Sequence, residues 1–187
     1  NTSEVIAGGV ELRGVGPHLI EGSLFENNAA GVANDSANAG GALRTIATAP
    51  VLVRGSTFVG NAAGGRGGAI QVDGAVVTLE DCVLELNTSG RGGAITIEDG
   101  RTVRVSNSVF VGNDAVRFGG AVYNVEAFEA INCTFVGNTS GSDNDTIEGA
   151  TGTARTRLLN CIVVNDGTGS HGGAGSFEPE FSLVPEA

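Results

Sequence analysis

Three arginines beside paired glycines are the residues of this 187-residue chain whose type and spacing best fit ligand binding. Arg66 and Arg91 directly precede a double glycine, and Arg117 lies one position earlier before the next. Guanidinium groups hold carboxylates and sulfates through paired hydrogen bonds. A row of three along one edge would suit a sulfated or uronic glycan, although solvated turn arginines would show the same spacing.

Nucleophilic and metal-binding chemistry has little support in the residue pattern. His18 and His171 are far apart and neither has a Ser or Cys partner in a triad-like spacing. Cys82, Cys133 and Cys161 form no Cys-x-x-Cys or Cys/His metal spacing. We therefore predict no catalytic residue, no metal ion and no cofactor.

Acidic residues are numerous, but they do not converge in the aligned columns of the chain. Arg104, Glu129 and Arg157 share one outward column, and alternating charges of this kind are typical of a solvent-facing surface. The net charge of −11 argues against nucleic acid as a partner. No apolar run approaches the ~18 residues of a membrane span, so we predict none in this segment.

A repeated pair of short motifs predicts the strands that must position the arginines and the acidic residues. The motif Ser/Cys-x-Phe-x-x-Asn is followed, after a variable loop, by Gly-Gly-Ala and an apolar residue. The clear copies are SLFENN (23–28) with GGAL (40–43), STFVGN (56–61) with GGAI (67–70), CVLELN (82–87) with GGAI (92–95), and SVFVGN (108–113) with GGAV (119–122). Two weaker copies begin at CTFVGN (133–138) and CIVVN (161–165). The repeat, without a helical apolar pattern, predicts a coil of three short strands per turn.

Aligning the copies produces columns with distinct expected roles. Period-two alternation directs three columns inward: the anchors Phe25, Phe58, Leu84, Phe110, Phe135 and Val163; the column Ile20, Val53, Leu79, Val105, Ala130 and Leu158; and the column Val10, Leu43, Ile70, Ile95 and Val122. A bend is predicted at one column whose residue types tolerate a left-handed backbone conformation: Gly22, Gly55, Asp81, Asn107, Asn132 and Asn160. A structural amide ladder is expected at Asn28, Asn61, Asn87, Asn113 and Asn138.

These columns predict an all-β, right-handed parallel β-helix, or β-solenoid, of about six turns of three short strands. Residues 1–187 would form a single domain, which we expect to be a segment of a longer chain. Cys133 and Cys161 would lie on adjacent turns, where either a disulfide or two stacked thiols fits the spacing.

The paired motifs FxxN and GGA[ILV] resemble the repeat of the chlamydial polymorphic outer membrane proteins, which are right-handed β-helix surface proteins. The resemblance covers nearly the whole chain. It implies an exported protein used for adhesion, display or assembly, located outside the cell or at its surface, and often without enzymatic activity. It names no ligand.

The outer face of the anchor strands is the candidate interface. Its outward positions are mostly apolar and run the length of the rod; they include Val59, Val83, Val109, Val111, Val136, Ile162 and Val164. Strand propensity explains part of this pattern, but a continuous apolar patch of several hundred Å² also marks binding surfaces. We predict that this face packs against protein, either another copy or a larger surface assembly.

Two functions follow as hypotheses. The first is a non-enzymatic structural or adhesive module that associates laterally or end to end with other chains and has a glycan as a second class of partner. The alternative is a carbohydrate-active β-helix enzyme, of the lyase, hydrolase or epimerase class, whose catalytic coils lie outside this segment. Repeated turnover of acidic polysaccharides would distinguish the alternative from the first.

Overall fold

The computed structural model describes residues 2–3, 7–31, 40–74, 76–98, 101–141, 146–164 and 171–180; of residues 2, 3 and 171 only the backbone is described. Over this part of the chain, short strands form four parallel sheets, which we call sheets A to D. The chain visits the sheets in the fixed order B, C, D and A before it returns to B. Each turn of this coil lies in register on the turn before it, so the fold is a parallel β-solenoid.

The strands are numbered along the chain and grouped here by sheet. Sheet A contains β1 (Thr2–Ser3), β5 (Ala29–Ala30), β9 (Ala62–Arg66), β13 (Thr88–Arg91), β17 (Asp114–Phe118) and β21 (Thr139–Ser140). Sheet B contains β2 (Val10–Leu12), β6 (Leu43–Thr45), β10 (Ile70–Val72), β14 (Ile95–Ile97), β18 (Val122–Asn124), β22 (Ile147–Gly149) and β25 (His171–Gly173).

The other two sheets follow in each turn. Sheet C contains β3 (His18–Glu21), β7 (Val51–Arg54), β11 (Val77–Glu80), β15 (Thr102–Ser106), β19 (Ala127–Ile131), β23 (Arg155–Leu159) and β26 (Ser176–Glu180). Sheet D contains β4 (Leu24–Glu26), β8 (Thr57–Val59), β12 (Val83–Glu85), β16 (Val109–Val111), β20 (Thr134–Val136) and β24 (Ile162–Val164).

Each turn of the coil has four strands. The sequence predicted about six turns of three strands each, so the predicted number of strands per turn was wrong. The fourth strand belongs to sheet A, in the segment that the repeat analysis treated as a variable loop. Its inward positions are small residues, in register from Ala30 through Ala63, Ser89 and Ala115 to Ser140. Small side chains give no apolar alternation, so the period-two signal that marks sheets B, C and D is missing here.

The three inward columns predicted from the sequence form much of the core, except that Val10 is 37% exposed, and their register is confirmed. In sheet D, Phe58 pairs with Leu84 and Leu84 with Phe110, and each of these side chains is fully buried. Aromatic rings stack between turns, with centroids 4.7 Å apart for Phe25 and Phe58 and 4.6 Å apart for Phe110 and Phe135. The core is therefore a set of stacked rows, each repeated once per turn.

The corners show why the repeat requires asparagine and double glycine. All six predicted bend residues between sheets C and D have φ between 50° and 56°. At the corner between sheets A and B, the first glycine of the four clear pairs is left-handed, at Gly40, Gly67, Gly92 and Gly119, with φ 62° at Gly92. The second glycine has no room for a side chain, because a Cβ on Gly93 would lie 2.1 Å from the carbonyl oxygen of Gly120. Successive turns thus pack backbone against backbone at this corner.

The asparagine ladder is also confirmed. The side-chain Nδ2 of Asn61 donates to Asn87 Oδ1 at 2.9 Å, and that of Asn87 donates to Asn113 Oδ1 at 2.9 Å. Backbone N–H groups of the same residues donate to the same oxygens, as from Asn87 to Asn113 at 3.0 Å. The ladder satisfies buried polar groups at the corner between sheets D and A, so these residues are structural.

Candidate functional site

The outward face of sheet B carries a polar strip that runs along the rod. The middle residue of each strand contributes one member, and from β2 to β22 these are Glu11, Arg44, Gln71, Thr96, Tyr123 and Glu148. Gln71 and Thr96 are only 1% and 0% exposed although they point away from the core. Other side chains and the neighbouring corner must therefore cover this face.

The cover over the centre of the strip is an ion pair between the ends of two sheets. Arg66 is the last residue of β9 and Glu98 directly follows β14, so the Arg66–Glu98 ion pair spans the outward face of sheet B. Beneath it, the Thr96 hydroxyl donates to the carbonyl oxygen of Arg91 at 2.7 Å and accepts from Gly67 N–H at 3.0 Å. Two buried atoms here, Nε of Arg66 in this ion pair and Oε1 of Gln71 on the strip, have no hydrogen-bond partner among the described residues.

Tyr123 lies on the strip one turn further along and is surrounded by charge. The guanidinium carbon of Arg91 lies 5.4 Å from the centre of the tyrosine ring, in a cation–π contact. Burial is the largest cause of a raised pKa at Tyr123; Arg91 opposes it, and the carboxylates Glu98 and Glu148 add to it. The phenol therefore stays protonated at neutral pH and can donate a hydrogen bond.

We call Arg66, Arg91, Glu98, Tyr123 and Glu148 the Tyr123 cluster. It combines guanidinium and phenol donors with carboxylate acceptors on one partly buried surface. The aromatic edge is extended by Phe118, whose ring centroid lies 6.3 Å from that of Tyr123. Such a surface can bind vicinal hydroxyls and acidic groups, which is the chemistry of saccharide recognition.

The predicted arginine edge is assembled only in part. Arg66 and Arg91 are register partners on β9 and β13, as the repeat alignment predicted. The register position after Arg91 is taken by Phe118, because a bulge shifts the pairing of β13 and β17, and Arg117 lies one residue earlier and is exposed. Arg66 is held by Glu98 and Arg91 by Tyr123, so the three guanidinium groups have different surroundings.

No aligned column brings acids together at this site, but Glu98 and Glu148 act on Tyr123 from different positions of the repeat. Both lie close enough to Tyr123 to raise its pKa. The alignment missed them because they occupy different positions of the repeat, one after β14 and the other in the middle of β22. The sequence signal that remained was the polar middle residue of the sheet B strands from β2 to β22, and Tyr123, the single tyrosine of the chain, stands in that column.

The alternating column on sheet C is a chain of ion pairs, as expected for a solvent face. Arg157 lies 2.8 Å from Glu129 and 3.2 Å from Glu180, and Arg104 lies 3.5 Å from Glu129. The hydrogen bonds of Arg157 raise its pKa above the ordinary value for arginine, the bond to Glu180 being the largest cause and the bond to Glu129 the next. Nothing in this arrangement differs from an ordinary charged surface.

The candidate interface on sheet D points outward along the whole rod. Its members occupy the first and third positions of the strands, which pair in register from β4 to β24. Exposure is greatest toward the ends, at 65% for Leu24, 45% for Ile162 and 42% for Val164. Val59, Val83, Val109 and Val111 are half-buried by their neighbours, and Val136 is 37% exposed.

The cysteines and histidines have structural positions. Cys82, Cys133 and Cys161 are buried and form no disulfide. His18 pairs with Val51 in the inward column at the start of sheet C, and the backbone of His171 pairs with Ile147 in sheet B. Within the described residues, no group of three or more His, Cys, Asp or Glu side chains is placed to hold a metal ion.

The parallel strands that stack in register and the residues with left-handed backbone at the corners together define a parallel β-helix protein. The chain belongs to the family described as the right-handed beta helix region, whose family model matches residues 1–181. No curated protein and no solved structure matches the chain. Among the described residues, no helix has the length and apolar character needed to cross a membrane.

Proposed function

We propose that this β-helix is a non-enzymatic structural or adhesive module that associates laterally with other chains through the outer face of sheet D. The observation that carries the proposal is the contrast between this face and the others. Sheets B and C cover their outward residues with ion pairs, whereas no ion pair lies on sheet D among the described residues. A face that is mostly apolar, apart from Glu26, Glu85, Thr57 and Thr134, gains from burial against a partner.

The shape of this face favours a partner that is itself extended. Adjacent strands are about 4.8 Å apart, so six strands present a surface roughly 24 Å long. Leu86, which is 56% exposed at the adjoining corner, extends the apolar surface toward sheet A. A second copy of the chain presents the same surface and is the simplest partner, and a larger surface assembly would use the same contact.

The repeats support an exported location. Their resemblance to the polymorphic outer membrane protein repeat implies a protein displayed outside the cell or at its surface. A rigid rod with one apolar face is suited to building such an assembly, because association buries the face without any change in the coil.

Replacing Val109 and Val111 with Asp tests the lateral contact. We expect the wild-type chain to associate reversibly at high concentration in sedimentation equilibrium and the double variant to remain monomeric, because two buried carboxylates would lose solvation at the interface. Circular dichroism should show that the coil remains folded.

Thr78→Asp is the matched control, because Thr78 is an outward, half-buried strand residue on sheet C. This variant should associate like the wild type. A wild-type chain that stays monomeric at the highest soluble concentration, or equal loss of association in both variants, would contradict the proposal.

The Tyr123 cluster favours a second candidate function, the binding of an acidic glycan. Arg91 has no carboxylate partner among the described residues and lies over the ring of Tyr123. Its guanidinium edge can hold a uronate carboxylate by two hydrogen bonds, while the glutamates accept from sugar hydroxyls. Arg117, exposed on the neighbouring strand, adds positive charge at the same edge.

Titration calorimetry with polygalacturonate tests this candidate. We expect Arg91→Ala to weaken binding by about tenfold or more, since a charged hydrogen bond contributes roughly 1.5–3 kcal/mol. Arg104→Ala, which removes the same charge from sheet C, should leave the affinity nearly unchanged. An equal loss of affinity for polygalacturonate in both variants would mean that binding depends only on the net charge of the protein and not on the Tyr123 cluster. The same incubation should release no reducing ends and no unsaturated uronate, and repeated turnover would contradict the non-enzymatic assignment.

A further inference from the structure

Cys133 and Cys161 occupy the same position on adjacent turns of the coil. They directly precede β20 and β24, which pair in register, and the N–H of Ile162 donates to the carbonyl oxygen of Cys133 at 2.9 Å. Both side chains are 1% exposed and point into the same row of the core. Paired strands lie about 4.8 Å apart, which is within the Cα separation that a disulfide tolerates.

Each thiol donates to backbone carbonyl oxygens, Cys133 to Ile131 at 3.2 Å and Cys161 to Leu159 at 3.4 Å. The Cys161 thiol also reaches the carbonyl oxygen of Ala130, three residues before Cys133 on the adjacent turn, at 3.4 Å. A hydrogen bond with Cys161 is the largest cause of a raised pKa at Cys133, followed by burial, and the same hydrogen bond lowers the pKa of Cys161. When one proton of the pair is lost, the thiolate therefore resides on Cys161 and is stabilised by the remaining thiol. A thiolate beside a second thiol is the arrangement from which a disulfide forms.

We propose that Cys133 and Cys161 are a redox-active pair, which is reduced in this structure and closes to an intrachain disulfide by exchange with a low-molecular-weight disulfide such as oxidised glutathione. In the first step the Cys161 thiolate attacks one sulfur of oxidised glutathione, the glutathione S–S bond breaks, and one glutathione thiolate leaves. Cys133 then attacks the Cys161 sulfur of the mixed disulfide and expels the second glutathione. Two protein thiols are oxidised, one disulfide is reduced, and the two protons end on the two released glutathione molecules.

Position in the sheet explains how a small disulfide reaches a buried thiol. Among the described residues, β24 is the last strand of sheet D and pairs with β20. Local opening of these strands exposes the thiols transiently, because parts of a native structure open with free energies well below that of global unfolding. Closure of the disulfide would then fix the last turn of sheet D to the turn before it.

Cys82 serves as an internal control. It occupies the same column, but its neighbours there are Ser56 and Ser108, and β12 is paired on both sides. Its thiol has no sulfur within reach, and burial is the largest cause of its raised pKa. Cys82 should therefore remain a thiol under conditions that oxidise the pair.

The experiment treats the folded chain with oxidised glutathione at neutral pH and follows its mass. The expected product has lost two hydrogen atoms, carries no glutathione, and yields a linked peptide pair containing Cys133 and Cys161 after digestion without reductant. Dithiothreitol should restore the original mass. Relative to the reduced chain, the oxidised chain should melt at a temperature higher by about 5 to 10 °C, since the link closes a loop in the unfolded state.

The variants Cys133→Ser and Cys161→Ser should fold, because serine fills the same column at Ser23, Ser56 and Ser108. We expect Cys133→Ser to stop at a glutathione adduct on Cys161 and Cys161→Ser to react more slowly than the wild type. Unreacted thiols in the wild type after prolonged incubation, a disulfide that includes Cys82, or a stable glutathione adduct on the wild-type chain would overturn the proposal. None of these outcomes depends on whether the outer faces bind partners.

Discussion

Replacing Phe110 with Ala is expected to lower the free energy of unfolding by about 3 to 5 kcal/mol. Phe110 is fully buried at the middle of the rod, where its ring stacks on Phe135 and its strand neighbour on the other side is Leu84. Removal of the ring takes away the apolar transfer energy and also leaves a cavity that the rigid turns above and below cannot close. Urea denaturation, with the midpoint and slope compared to the wild type, measures the loss.

Arg104→Ala is the control for this prediction. The Arg104 side chain is 54% exposed, and its ion pair with Glu129 spans 3.5 Å on a solvent-facing sheet. Exposed pairs of this kind contribute less than about 1 kcal/mol. Similar midpoints for the two variants would show that Phe110 does not have the buried, stacked environment described here.

The sheets that could be predicted from the sequence are those whose inward residues are large. Phe, Val, Leu and Ile alternate with outward residues in sheets B, C and D, so the repeat alignment fixed their register correctly. Sheet A was not predicted from the sequence, because its inward residues, such as Ala63, Ser89 and Ala115, have small side chains. A period-two pattern depends on the difference between inward and outward residues, and in sheet A that difference is nearly absent.

The site was harder to predict than the fold because its residues meet across corners. Arg66 ends a strand of sheet A and Glu98 follows a strand of sheet B on another turn, so their ion pair depends on how the double glycine turns the chain. The same is true of Arg91 and Tyr123. The ion pairs on sheet C join equivalent positions of successive repeats and therefore show in the aligned columns, whereas the contacts of this site join non-equivalent positions and do not.

The buried asparagine ladder leads to the second large effect. Asn87 is 0% exposed and its Oδ1 accepts from both the backbone and the side chain of Asn61, at 3.0 and 2.9 Å. Its own Nδ2 donates to the carbonyl oxygen of Phe58 at 3.0 Å as well as to Asn113. Each rung therefore satisfies groups of the turns on both sides, and the loss of one rung affects all of them.

We expect Asn87→Ala to lower the free energy of unfolding by about 3 to 5 kcal/mol, because at least two buried groups lose their partners at roughly 1–3 kcal/mol each. Asn107→Gly is the matched control: Asn107 accepts from Asn132 Nδ2 at 3.3 Å in an exposed stack, and glycine tolerates its φ of 50°. That variant should lose less than about 1 kcal/mol, because water replaces the missing amide. Denaturation curves for the two variants decide whether burial gives the ladder its stability. If the buried and the exposed rung cost the same, water must reach the inner ladder, and the corner between sheets D and A would be more open than the structure shows.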